Sequence, residues 1–164
     1  MKKIIRFVER NKRKLKTLNG ALDDKLVANP KFYPGLYNTR YKRIFYYVVC
    51  DVDISKIMVN LKSIGLVNIE SSPHYKFAKA YALQNRIDPE YKSYLLQNYK
   101  EENSDEAVTE FIKTYNFVVG NPDEQFLLVR FMEKEKEFVE LVDGLHRLAI
   151  LKLIGAKVVR CALI

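Results

Sequence analysis

The sequence predicts an α/β domain, and three observations carry that expectation. Four short β-branched or aromatic runs, "IFYYVVCDV" (44–52), "FLLVRFM" (126–132), "EFVELV" (137–142) and "AKVVRCALI" (156–164), have strand length and strand composition. Between the first and second lie three segments with helix-start grammar, at about 71–116. Another apolar helical run, opening after Asp143-Gly144 and closing at Gly155, separates the last two strands. At 164 residues the chain is long enough to bury one sizeable core.

Taken in order, residues 1–20 read as a basic N-terminal helix. Ile4, Val8, Leu15 and Leu18 recur at helical spacing, and Gly20 closes the run. Lys2, Lys3, Arg6, Arg10, Lys12, Arg13, Lys14 and Lys16 stand there against Glu9 alone. This arm holds most of the net charge of +8, so the rest of the chain is near neutral. Such a helix can meet an anionic membrane surface or nucleic acid, or it can pack on its own domain. Arg6, Glu9 and Arg10 interrupt any apolar signal core, and no run approaches the roughly 18 apolar residues of a membrane span. A cytoplasmic location is expected.

Residues 19–43 read as irregular, with Pro30, Pro34 and Gly35. Tyr33, Tyr37 and Tyr41 interleave there with Arg40, Lys42 and Arg43. That pattern suits base stacking or simple anchoring of a loop. The first strand then carries Cys50, and the last carries Cys161. With no second pair to build a metal site, both read as buried, reduced thiols. After the strand, "ISKIMVNL" places Ile54, Ile57, Met58 and Leu61 at helical spacing, with Asp53 as N-cap.

The insertion at 71–116 repeats one grammar. Ser72 precedes Pro73, Asp88 precedes Pro89, and Ser104 precedes the acidic pair Asp105-Glu106. The polar "EKEK" between 126–132 and 137–142 reads as a hairpin turn.

"LVDGLHRLAILKLIG" (141–155) carries the chemistry. A strand, a glycine turn and a helix start together form an anion site, because the first helical N–H groups lack intrahelical partners. Gly144 lets the backbone take positive φ and come close to a ligand. Arg147 can grip phosphate oxygens bidentately. His146 can donate to phosphate or trade a proton near neutral pH. Asp143 can orient the histidine, hold magnesium or accept a proton from a hydroxyl. Phosphoryl transfer fits this set, because positioning and charge stabilisation do most of its catalysis. An ordinary Asp-Gly turn with a surface arginine and a packed histidine fits the same spacing.

A second candidate is "ESSPHYK" (70–76). His74 stands in a helix first turn beside Ser72 and Lys76, and Ser72, His74 and Lys76 could line a substrate pocket. The chain holds two histidines, both at helix starts after turn residues, which suggests one shared pocket.

"VELVDGLHRLAILKLIGAKVVRCALI" resembles the C-terminal signature of ParB/sulfiredoxin-like domains, and "VVCDVDISKIMVN" resembles their opening strand. The resemblance covers about 25 residues well and a dozen more loosely. It implies a ParB/sulfiredoxin-like domain over 44–164 with a mixed β-sheet, preceded by the N-terminal helix and interrupted by the helical insertion. Sulfiredoxins need a cysteine just before the His-Arg pair, where Leu145 stands here. The free-serine kinases of the family carry Asp-Gly-His-His-Arg, close to Asp143-Gly144-Leu145-His146-Arg147. That branch implies ATP or CTP with Mg2+, the phosphates held by Gly144, Leu145, His146 and Arg147. It implies an acceptor that is a small hydroxylated metabolite, an amino acid or a sugar. Asp143 and His146 would be catalytic, with Asp143 also the metal ligand. Their upstream glutamate base has no counterpart in "DVDISKIMVNLKSIG", where Asp143, Glu70 or Asp51 could substitute. A nucleic-acid-binding or nuclease-like module, or a non-catalytic scaffold, remain the alternatives.

Overall fold

The computed structural model describes residues 22–27, 47–99, 104–132 and 137–164. The expected helix over residues 1–20 and the tyrosine–cation stretch at 33–43 lie outside them. Seven strands form one mixed sheet: β1 (Leu22–Val27), β2 (Tyr47–Asp53), β3 (Ile57–Leu61), β4 (Gly65–Asn68), β5 (Phe126–Phe131), β6 (Val139–Asp143) and β7 (Val158–Leu163). Their spatial order is β1-β2-β7-β5-β6-β3-β4. The β7–β5 and β6–β3 pairs are parallel and the other four antiparallel. Four helices join them: α1 (Pro73–Gln84), α2 (Pro89–Tyr99), α3 (Ser104–Gly120) and α4 (Leu145–Leu153).

Alternation along the strands sets which face meets the helices. Cys50 and Val52 of β2, Leu127 and Val129 of β5, and Val159, Cys161 and Leu163 of β7 share one cluster with α1, α3 and α4. Val49, Leu128 and Ala162, at the opposite parity, form a smaller cluster of their own. Helix α4 is the hub of the helical layer. Its Leu148, Ala149, Ile150 and Leu151 are all buried, and it packs against both α1 and α3. The length of that apolar run is what brings the Asp143–Arg147 loop up against the insertion.

The three insertion helices start where their caps place them. Ser72 Oγ accepts from Tyr75 N at 3.1 Å, with Pro73 in the first turn, and Asn85 closes α1 in the left-handed conformation. Asp88 Oδ1 accepts from Glu90 N at 3.0 Å ahead of α2. Helix α3 opens on Asp105 and Glu106, and Asp105 also pairs with Lys92 of α2. The hairpin expected from "EKEK" is the antiparallel β5–β6 pair.

Two readings of the sequence are corrected. "ISKIMVNL" is not helical beyond one turn. Ile54–Lys56 form a single 3-10 turn, capped by Asp53 Oδ1 accepting from Ser55 N at 2.8 Å, and Ile57–Leu61 continue as β3. The same apolar residues also satisfy period two: Ile57, Val59 and Leu61 are buried, and β3 is paired on both sides. Nor is the whole of 19–43 irregular, since Leu22–Val27 add β1 to the sheet edge. The charges of "LDDKLV" hide the strand, yet charged residues are what an edge strand tolerates.

Candidate functional site

Strand β6 ends at Asp143, and Gly144 turns the chain with φ +101° into the N-terminus of α4. Leu148 N donates to Gly144 O at 2.8 Å, the first bond of the helix. The amides of Leu145, His146 and Arg147 precede that bond, and no side chain caps this end. They face an open cleft of about 620 Å³, lined by Asp143, Gly144, Leu145, His146 and Arg147 on one wall and by Lys113, Thr114 and Phe117 of α3 on the other. All five loop residues singled out from the sequence therefore line one cavity.

Glycine is required at 144 for two reasons. Its φ is one that side chains resist, and a Cβ built there would lie 2.4 Å from Leu127 Cδ2 and 3.2 Å from an Arg147 guanidinium nitrogen. The guanidinium thus folds over the turn. Its Nη2 donates to Asp143 Oδ2 at 3.3 Å, with 26% of the arginine and 36% of the aspartate side chain exposed. A half-exposed pair of this length is weak, so an incoming anion can share or take the arginine.

His146 differs in character from the sequence expectation. Burial and the neighbouring Arg147 charge push its pKa down to about 4. At neutral pH it is therefore an uncharged donor and acceptor, unable to act as a cation on phosphate or to trade a proton near neutrality. Its Nε2 lies 3.3 Å from the hydroxyl of Tyr91 on α2, and its ring packs on Phe111 at 4.7 Å.

His74 lies directly behind it, with ring centroids 5.4 Å apart. The two histidines are thus together, though on different footings. His146 lines the cleft, whereas His74 is 3% exposed and wedged edge-on between Tyr91 and Tyr94. Burial, then the second imidazole, lowers the His74 pKa to about 3. Its Nδ1 is the buried side-chain nitrogen without a hydrogen-bond partner among the described residues.

The companions proposed for His74 are not on the cleft wall. Ser72 is fully buried and its hydroxyl is spent on the α1 cap, while Lys76 is exposed on α1. Nor are the candidate substitute bases. Glu70 pairs with Lys152 at 3.6 Å, and Asp51 pairs with Arg160 at 3.3 Å across β2 and β7.

The α3 wall was not foreseen. Lys113 hydrogen-bonds Glu110 at 2.6 Å, Thr114 donates to the Glu110 carbonyl at 2.9 Å, and Phe117 is 56% exposed. The one signal in the sequence was Phe117 beside Asn116, an aromatic on the polar side of an otherwise regular amphipathic helix.

Asp143 is the one carboxylate on the cleft wall, and among the described residues no three His, Cys, Asp or Glu side chains converge. A magnesium ion takes one or two carboxylates when phosphate oxygens and water complete its shell. The residues present therefore fit a phosphate-borne magnesium and do not fit a site made of protein ligands alone. No family model, curated protein or solved structure matches the chain. Among the described residues no helix is long and apolar enough to cross a membrane.

Proposed function

We propose that the cleft binds the phosphates of a nucleoside triphosphate, ATP or CTP, and supports phosphoryl transfer to a small hydroxylated metabolite. The observation that carries this reading is the uncapped α4 N-terminus opening onto a cleft with Arg147 and Lys113 on its walls. Free amides, a helix dipole and a guanidinium address the same anionic group. Phe117 gives the opposite wall an exposed aromatic face on which a nucleobase can stack. The likeness of Asp143-Gly144-Leu145-His146-Arg147 to the free-serine-kinase motif of ParB/sulfiredoxin-like domains supports the same reading. The mixed sheet with the loop at a strand–helix junction is compatible with it.

In this scheme Arg147 and the Leu145–Arg147 amides hold the phosphates, and His146 adds a neutral hydrogen bond. Magnesium, when bound on the phosphates, offsets the charge of the transferring group. Asp143 either ligates that ion or accepts the proton of the acceptor hydroxyl once Arg147 has turned to the phosphate. The buried, reduced Cys50 and Cys161 suit the cytoplasm, where nucleoside triphosphates are plentiful.

The test is calorimetric titration with Mg-ATP and Mg-CTP on wild type and Arg147→Ala. A charged bidentate contact is worth roughly 1.5–3 kcal/mol, so the variant should bind about ten- to a hundredfold more weakly. Equal affinities would remove Arg147 from the site.

A further inference from the structure

The aromatic cluster behind the cleft bears on one atom of the site. Tyr91 is 1% exposed, and its ring is held on three sides: stacked on Phe77 at 4.6 Å, and edge-on to His74 at 5.2 Å and Phe111 at 5.6 Å. Those contacts come from α1 and α3, so the phenol has little freedom to turn. Its hydroxyl meets Nε2 of His146 at 3.3 Å. A neutral imidazole has one N–H and one bare nitrogen, and the neighbours decide which is which. Of the two arrangements open to this pair, phenol donating to a bare imidazole nitrogen is the stronger. The phenolic proton is far more acidic than an imidazole N–H, and the bare nitrogen is a far better acceptor than a phenol oxygen. No carboxylate or cation takes part in this contact, so the pair is decided by those intrinsic strengths. Nδ1 of His146 is not sealed in the core as Nδ1 of His74 is, because His146 stands on the cleft wall.

We propose that Tyr91 is a positioning residue that fixes His146 as the Nδ1–H tautomer, presenting an N–H donor rather than a base to an anionic ligand in the cleft. The use of that donor on phosphate rests on the nucleotide reading above; the tautomer itself does not. The depressed His146 pKa is consistent with a ring that stays neutral through the physiological range. His74 fills the space on the far side of the pair and keeps water from competing for the Tyr91 hydroxyl.

The experiment is long-range nitrogen–proton correlation NMR at pH 7 on full-length protein labelled with 15N-histidine, without ligand. Two histidines give two spin systems, and His146→Gln assigns them by loss of one. Wild-type His146 should show a protonated Nδ1 and a bare, pyridine-like Nε2. Tyr91→Phe, with a thermal midpoint recorded alongside, should move the His146 nitrogens towards the Nε2–H pattern or a mixture while the His74 pattern persists. A merely structural tyrosine would leave the tautomer where it was. Wild-type His146 in the Nε2–H form or as a mixture would overturn the proposal, as would an unchanged Nδ1–H pattern in Tyr91→Phe. A separate titration of the same sample with Mg-ATP addresses the nucleotide reading, so the two can fail independently.

Discussion

Gly144→Ala should be among the most damaging one-carbon changes in the molecule, and its cost can be worked from the turn. At φ +101° and ψ 27° the backbone lies where a side chain is strained by about 1–3 kcal/mol. The new Cβ would also stand 2.4 Å from Leu127 Cδ2, far inside the ~3.5–4.0 Å of normal carbon contact. Leu127 is fully buried on β5, so its methyl can escape only by repacking the core, at a further ~1–3 kcal/mol. Against this, alanine restricts the unfolded chain and returns about 0.4–1 kcal/mol. The strain and the clash win, leaving a net loss of roughly 2–5 kcal/mol. For a chain of this size that is a fall in thermal midpoint of roughly 5–15 °C. Urea denaturation followed by circular dichroism gives the free energy directly, provided the slope is unchanged. A variant within about 0.5 kcal/mol of wild type would refute this account of the turn. Its survival would mean that Gly144 is conformationally replaceable and that the close approach to Arg147 is not enforced.

Three further outcomes follow from the geometry. Asp143→Asn should cost under about 1 kcal/mol of stability, since its pairing with Arg147 is half-exposed, yet lower turnover by about 10²–10⁴. A coupled assay of nucleotide consumption over a metabolite panel checks this, and equal rates would eliminate Asp143 as base or essential metal ligand. Both histidines are neutral in the fold and their pKa values are lowered, to about 4 for His146 and about 3 for His74. Their contribution is therefore complete above about pH 6.5 and is lost as pH falls, because the unfolded imidazoles take up protons first. His146 alone should account for a loss of roughly 3 kcal/mol by pH 4, and denaturation midpoints that are flat between pH 7 and pH 5 would contradict the burial of both rings. Cys50 and Cys161 face each other across β2 and β7, and burial pushes the Cys50 thiol up to about 12 and Cys161 well above the usual thiol value. Neither should react with a thiol reagent in the native protein and both should react in denaturant; rapid native labelling would place one at the surface.

The elements that could be read from the sequence are those whose signal is local. Ser72-Pro73, Asp88-Pro89 and Ser104 with its acidic turn announce three helices because caps and dipoles act within four residues. Gly144 announces its turn for the same reason. Residues 57–61 could not be settled locally, since Ile57, Met58 and Leu61 satisfy period 3.6 while Ile57, Val59 and Leu61 satisfy period two. Pairing with β4 and β6 decides between them. Leu22–Val27 were hidden because an edge strand can carry charge on its outer positions. The loop half of the site was legible because it is contiguous. The α3 half was not: nothing in a linear pattern says that Lys113 and Phe117 face Arg147, because the packing of α3 on α4 places them there. Spacing likewise marked both histidines but could not show that one is a cleft residue and the other is core, a difference made by Tyr91 and Tyr94.

The measurement that bears most directly on the cleft is a titration of 15N-labelled protein with Mg-ATP or Mg-CTP, followed amide by amide. The amides of Leu145, His146 and Arg147 should shift together and saturate at one equivalent, accompanied by Lys113 and Thr114 on the opposite wall. In Arg147→Ala the same shifts should need about ten- to a hundredfold more nucleotide. If both nucleotides leave those amides unmoved at millimolar concentration, or move only residues remote from the α4 N-terminus, the cleft is not a phosphate site.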